Sequence, residues 1–507
     1  MIGSQQAAGV EKGRAGFFSS VLVLAGGTAV AQAVGIATAP AITRLFTPEA
    51  FGLAAVVGTL FAILAPVAGG TYDAAVPLPR EDQHAASLLG LSLALLLTTT
   101  AAVALAMLAF GGPLLYWLEA AEFEPHAWLL PLGILAAGGA YPLRAWYVRQ
   151  RRFRTLAGVD LVHATTTSLA SIGAGVLGFV AGLDLVLVRI ATQAIVPAWL
   201  GAWVLARDWR FIRPHWRRDE LAAMARRYAD FPRFTVGENL LNSTSRGLPT
   251  LLLASQFGAG AAGLLALAHR IVFMPSQLVG SATSQVLFQR IAEMRANDRP
   301  AGVLMEQVIV RLSMFGLAPT AALAVAGPAL FGTVFGTEWQ EAGRYAAALS
   351  PWLLTAVVAS PLTVLWIVFE RQRLALIFNV ALLGARLGAL LGSAWLSEDP
   401  AVALASFGAV GIVFNLAMVT FFARLTATRL RPVALGFLRW AAIAAACAAV
   451  PWTLQHLAGA TPRVVVGGVV VQALLYGLAM LWLDAELRRA ALGRLASDRV
   501  GRNERKP

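Results

Sequence analysis

The run "LLNSTSRGLPTLLLAS" (240–255) sets an arginine, Arg246, among leucines inside a window long enough to cross a bilayer. Arginine keeps its charge in any protein environment, and at mid-bilayer it costs at least about 2.5–3.5 kcal/mol. Pro249 removes the helical hydrogen bond to the carbonyl of Ser245 and follows Gly247, so a kink is expected at the arginine. Asn239, Asn242 and Arg246 stand at i, i+3 and i+7, one face of a helix, with Glu238 one position off it. Such a stripe needs water, a counter-charge or a ligand.

The next window repeats the pattern. Arg270, Gln277, Ser281 and Ser284 share a helical face, with Pro275 inside the window. Counted from the turn between the two windows, Arg246 and Arg270 have comparable, near-central depths. Two polar stripes on neighbouring helices are expected to line a wet cavity. The competing reading pairs each arginine with a carboxylate, the candidates being Asp73, Asp160, Glu238 and Glu306, all nearer the inner surface. For Arg311 and Arg386, each closer to one face, snorkelling is the favoured expectation. A weaker stripe in the first window holds Thr28, Gln32, Gly35 and Thr43, with Pro40 as a kink; helix packing explains such small residues as well. The candidate substrate-binding residues are thus Arg246, Arg270, Asn242, Asn239, Gln277, Ser281 and Gln32, together with Arg44 in the first outward turn. Asp73 and Glu238 are the ion-coupling candidates. His163 and His269 are read as hydrogen-bonded structural residues.

Outward from this stretch the whole chain is apolar. Of 507 residues 58% are hydrophobic and 13% charged, and the mean hydropathy is +0.69. A soluble chain of this length would carry more charge. Fourteen apolar windows can be placed, over 18–42, 50–72, 87–112, 127–147, 156–181, 184–205, 234–256, 261–287, 305–332, 344–368, 374–396, 401–422, 437–456 and 464–483. The first resembles a signal peptide, but its apolar run continues to Ile42 and reads as a span. The expectation is an all-α polytopic membrane protein.

The net charge of +13 is explained by topology. With the N-terminus inside, only Arg44, Arg344 and Arg463 fall outward, and Arg144, Arg189, Arg246, Arg270, Arg311 and Arg386 fall within windows. All other basic residues lie in inward segments such as "RQRRFR" (149–154) and "RLTATRLR" (424–431). Both termini are therefore expected in the cytoplasm, and no nucleic acid is expected as a partner. The single cysteine, Cys447, lies in an apolar window, which excludes an intrachain disulfide. No metal-ligand spacing, nucleophile elbow, P-loop or dinucleotide fingerprint occurs, so neither metal nor cofactor is expected.

Two connectors carry more than charge. In 219–233, Leu221, Met224, Ala225 and Tyr228 share a face that Arg226 and Arg227 avoid, which suggests an amphipathic helix on the inner membrane surface. The basic tail begins in the same way; both are expected near anionic lipid. The connector divides the chain. "FTPEAFGLAA" (46–55) after the first window and "FGAGAAGLLA" (257–266) after the seventh share Phe, Ala, Gly, Leu and Ala at matching places. The expected organisation is two pseudo-symmetric six-helix lobes, 1–206 and 234–423, around a central cavity. The connector 207–233 joins them, two further helices follow in 424–483, and the basic tail is 484–507.

"AITRLFTPEAFG", "YDAAVPLP", "GLPTLLL" and "LLALAHRIVFMPSQLVGSATSQVLF" resemble the polysaccharide and O-antigen flippases of the multidrug/oligosaccharidyl-lipid/polysaccharide exporter superfamily. The likeness is a diffuse pattern over most of the chain. It implies twelve or fourteen spans in two lobes around a cavity, in a bacterial inner membrane. The substrate it implies is an undecaprenyl-pyrophosphate-linked oligosaccharide moved from the inner to the outer leaflet, with a polysaccharide polymerase and export machinery as partners beside membrane lipid. Where the family often reads Arg-Tyr-Glu, this chain has Thr71, Tyr72 and Asp73, so a basic side chain is lost. A multidrug exporter of small organic cations in the same superfamily is the main alternative, but it needs deep carboxylates where this chain has arginines. An enzyme is disfavoured because the outward connectors are short, the longest being 113–126.

Overall fold

The computed structural model describes residues 26, 27 and 29–484, apart from the side chains of 274–279, 281, 282 and 394. Thr28, the start of the first window and the tail after 484 therefore lie outside the described residues. So do the side chains of Gln277 and Ser281.

The described residues are helical with no strand among them. The helices are α1 (Ala29–Thr43), α2 (Pro48–Ala68), α3 (Asp82–Trp117), α4 (Leu129–Gly138), α5 (Ala140–Arg149), α6 (Phe153–Val176), α7 (Gly182–Arg207) and α8 (Arg218–Arg227). The element Val236–Ala296 departs from helical geometry at Gly258, with φ 86° and ψ 165°. A side chain at that φ is strained, so glycine makes the turn between two helices, α9 over 236–257 and α10 over 259–296. Then come α11 (Gly302–Phe335), α12 (Gln340–Ala359), α13 (Gln372–Leu396), α14 (Pro400–Leu425), α15 (Leu430–Ala458) and α16 (Pro462–Leu483). Where they are described, the apolar windows lie mostly on helix, and among the described residues ten helices are long and apolar enough to cross a membrane by length and composition.

The chain forms two compact units, Met1–Leu267 and Ala268–Pro507. In the first, "FTPEA" starts α2 by ordinary capping: the Thr47 side chain accepts from the Ala50 amide, Pro48 opens the helix and Glu49 sits in its first turn. The expected outward connector 113–126 is largely helical. Its Leu115, Leu118, Ala120 and Phe123 are buried against Phe61, Leu130 and Ile134.

A second cluster in this unit gathers Tyr72, Trp146, Tyr147, Ile212 and Met224. It corrects the reading of the connector as a membrane-surface helix. Met224 on α8 is 6% exposed and packs with Ala225 and Tyr228 against this cluster. The Tyr72 hydroxyl donates to the Ala225 carbonyl at 3.2 Å, and that of Thr71 to Phe231 at 3.1 Å. The apolar face is therefore met by protein.

Several arginines of the basic connectors are likewise structural. Arg149 donates to Asp82 at 2.8 Å and to the Pro79 carbonyl at 2.7 Å. Arg152 and Arg207 each stand 4.2 Å from the centre of the Trp203 ring. Asp208 accepts from Trp146 Nε1 at 2.9 Å and from Gln150 at 3.2 Å.

In the second unit the tenth window is interrupted. After α12 the chain tightens into a 3-10 turn over Ser360–Val364, with Pro361 in its first positions. The last two helices are packed onto α11. Tyr476 donates to the Met314 carbonyl at 2.9 Å, and Trp440 and Ala444 share that cluster.

Candidate functional site

Within the first unit, Arg246 lies on α9 twelve residues before Gly258, about 18 Å along the helix from the turn. It is exposed, and among the described residues no side chain or carbonyl pairs with it. Asn242 beside it is exposed and Asn239 half-buried. Glu238, the carboxylate proposed as its partner, is eight residues away, about 12 Å along the same helix, and is exposed. The geometry therefore removes the Arg246–Glu238 ion pair from consideration.

Local packing explains why Arg246 is presented. A Cβ on Gly247 would stand 2.5 Å from Thr59 Cγ2 and 3.2 Å from Ile63 Cδ1. That glycine lets α9 press onto α2, and Arg246, the residue before it and about 100° round the helix, is turned off the contact.

Other polar groups of the first unit lie nearby. Tyr141 on α5, 40% exposed, stands in the fields of Asp73, Arg144 and Arg246. Arg144 is ion-paired with Asp160 of α6. One turn on, His163 feels Arg144, Asp160 and Arg189. Its Nε2 is buried without a hydrogen-bond partner. Arg189 of α7 reaches across to Gly58 of α2, where a Cβ would meet its Nη1 at 2.4 Å. Asp73 follows α2 in the 3-10 turn Tyr72–Ala75, outside the apolar helix. Burial pushes its carboxyl up to about 6, against the pull of a backbone hydrogen bond.

Gln32 is half-buried on α1, and its Oε1 has no hydrogen-bond partner. Thr38 donates to Ser168 Oγ at 2.9 Å, and Gly27 lies against Ala157. Both contacts join residues 130 apart, so α1 packs along α6 in a single register. Arg44 is exposed past the end of α1, at the turn, and is not brought together with Arg246.

In the second unit Arg270 is exposed on α10, twelve residues after Gly258. Arg386, expected to snorkel, instead packs against an edge-to-face ring pair, 4.8 Å from the centre of Trp352 and 4.4 Å from that of Phe407. Trp352 also contacts Phe273 at 4.6 Å, which stacks on His269 at 4.3 Å. Sequence reasoning missed this cluster because its members come from α10, α12, α13 and α14, with no spacing to join them. The Arg144–Asp160–His163 group left a trace, since Asp160 and His163 share a helical face at i and i+3. Among the described residues no cluster of three metal-ligating side chains occurs.

This arrangement offers exposed guanidinium groups and amides, suited to an anionic or sugar-bearing ligand. The family model of polysaccharide biosynthesis proteins matches residues 41–344. The succinoglycan biosynthesis transport protein ExoT of Rhizobium meliloti (strain 1021) is 28% identical over 319 residues, 60% of this chain and 60% of that protein. The matched stretch thus spans less than two thirds of the relative's length. Two solved structures share the fold. The lipid II flippase MurJ in an inward closed conformation has a TM-score of 0.69 at 10% identity, covering 91% of this chain and 98% of its own. An inward-facing multidrug resistance MATE transporter of the MOP superfamily has a TM-score of 0.61 at 15% identity, covering 80% and 95%. A multi-pass membrane chain, helical throughout its described residues and matched over more than half its length, is a member of the polysaccharide biosynthesis protein family.

Proposed function

We propose that this protein is a flippase that carries a polyprenyl-pyrophosphate-linked oligosaccharide from the inner to the outer leaflet of a bacterial inner membrane. The observation that carries the reading is Arg246, exposed at mid-helix depth with no pairing group among the described residues. A pyrophosphate presents several anionic oxygens, which a guanidinium fork binds bidentately. Fixed positive charge at that depth lowers the cost of moving the head group, while the polyprenyl tail stays in lipid. Two lobes, 1–206 and 234–423, alternately expose the site to each side. Both termini face the cytoplasm. Asn239, Asn242, Arg270, Gln277, Ser281 and Gln32 complete the polar path, and Asp73 is the coupling carboxylate.

The fold alone does not choose between a lipid-linked glycan and a small organic molecule, because MurJ and the MATE transporter share it. The sign of the exposed mid-depth charge favours an anionic cargo, and the family match favours a glycan. In a deletion strain the lipid-linked oligosaccharide should be complete but held on the inner leaflet, with the surface glycan lost. An unfinished glycan unit would point to an enzyme instead.

A further inference from the structure

We propose that Tyr141 and Asn242 form a sugar-binding subsite beside Arg246, which takes the sugar ring attached to the pyrophosphate. The inference rests on the flippase reading and names the second part of its ligand. All three residues belong to the first unit and all are exposed. The Tyr141 phenol stands in the fields of Arg246 and Asp73. Among the described residues neither its hydroxyl nor the Asn242 amide has a hydrogen-bond partner. Other tyrosines of this chain that pack between helices close the hydroxyl on a carbonyl: Tyr72 on Ala225, Tyr147 on Leu200 and Tyr476 on Met314. Tyr141 does not.

Packing on α2 brings these side chains to one space. Gly247 of α9 meets α2 at Thr59 and Ile63, and Ala259, past the turn, meets it at Gly52, so α9 runs against α2. Gly133 of α4 meets Phe61, and Gly138 meets Ala65 and Ala68, so α4 runs with α2. Tyr141 follows Gly138 by three residues, through helical backbone at Gly139, and keeps to the same side. Long helical side chains lean toward their own N-terminus, so on these opposed helices Arg246 and Tyr141 lean toward each other. Their levels along α2 differ by on the order of 10 Å. Asn242 lies between, one turn from Arg246 on the same face. The floor is low: Ala62 of α2 falls about 60° round from Thr59 and about 60° from Ala65 on its other side, between the two packed faces. It is exposed, so a methyl group is all that fills that stripe. A ring with a flat apolar face and a hydroxyl, beside an amide that donates and accepts, matches the C–H face and uncharged hydroxyls of a pyranose.

The test compares ligands with and without the sugar. The purified full-length protein in neutral detergent is titrated calorimetrically with geranyl pyrophosphate, and with geranyl pyrophosphate carrying glucose or galactose on its terminal phosphate. At least one sugar-bearing probe should bind about tenfold more tightly than the bare one, the worth of one or two hydrogen bonds with a stacked ring. Tyr141→Ala should erase that gain while binding the bare probe as the parent does, which also shows that the variant is folded. Tyr141→Phe keeps the ring and should retain part of the gain. Arg246→Ala should weaken every probe together. If the sugar adds nothing in the parent, or its gain survives Tyr141→Ala, the subsite is overturned while the pyrophosphate site stands. If Arg246→Ala changes no probe, or none binds saturably, the flippase reading that rests on Arg246 falls, and the subsite with it.

Discussion

Gly52 and Gly263, which occupy matching places in the two decapeptide repeats, pack reciprocally against each other's helix start. A Cβ on Gly52 would fall 1.7 Å from the Ala259 carbonyl oxygen, and one on Gly263 would fall 1.9 Å from that of Pro48. Pro48 and Ala259 are themselves matched positions, and Glu49 lies over its counterpart Gly260, 3.0 Å from where a Cβ would stand. The contact is therefore locally two-fold. Glycine at each crossing lets two backbones touch, the device small residues provide between membrane helices.

This symmetry predicts paired effects. Gly52→Ala and Gly263→Ala should each destabilise the protein, by about 1–3 kcal/mol as for an overpacked contact. Because both loosen one crossing, the double variant should cost less than the sum. Gly384→Ala, where a Cβ meets nothing within 4 Å, should leave the melting temperature unchanged. A Gly263→Ala protein as stable as the parent, beside a damaged Gly52→Ala, would refute the reciprocal contact.

The repeat was legible in the sequence because five residues recur in register, but nothing in ten residues showed that the copies touch. The same limit recurs across the chain. Window positions and the turn at Gly258 follow from composition and one glycine, both local properties. Arg246 and its stripe were visible because helical periodicity is local too. Its isolation from Glu238 follows from helix rise alone, eight residues being too far for an ion pair. Arg386 was misjudged because its surroundings depend on Trp352 and Phe407, brought from other helices by packing that no spacing encodes. The α8 face was read correctly as amphipathic, yet periodicity cannot say whether lipid or the Tyr72–Trp146 cluster meets it.

Topology can be checked independently. Reporter fusions after residues 153, 215 and 428 should report cytoplasm, and fusions after 120, 258 and 340 the outside. A fusion at 258 that reads as cytoplasmic would undo the two-lobe organisation, because Gly258 would then face inward.

Asp73 gives a pH signature. Its carboxyl, outside the apolar helices, is raised from an ordinary 3.8 to about 6. Between these values the folded protein holds a proton that the unfolded chain has released. Its contribution to stability therefore falls as pH rises from about 4 to about 6, and is flat above. Melting temperature measured across this range should show that slope in the parent and lose it in Asp73→Asn, which should also be the more stable at pH 7. Equal slopes in the two proteins would exclude a raised carboxyl.

The Arg144–Asp160 pair is partly shielded, with side chains 33% and 20% exposed. Arg144→Ala leaves Asp160 without its partner, and the loss should lie below the roughly 3–5 kcal/mol of a fully buried pair. Adding Asp160→Asn should recover most of that loss in a thermal-shift assay. If the double variant is no better than the single, the pair is not what holds α5 to α6.

Arg246 should behave oppositely. No described residue pairs with it, so Arg246→Ala orphans no carboxylate, and protein level and melting temperature should stay near those of the parent. Removing a charge held at mid-depth relieves a desolvation cost, so stability can rise slightly. Transport, read as lipid-linked oligosaccharide reaching the outer leaflet, should nevertheless be abolished. Arg246→Lys should retain part of it, because the charge survives while the bidentate fork does not. Arg270→Ala should be weaker but similar in kind. If both arginines hold one head group, the double variant should be no worse than the stronger single one. A structural role predicts the reverse order: Arg246→Ala would vanish from membranes before its transport could be measured, and Arg246→Lys would restore its level without its activity.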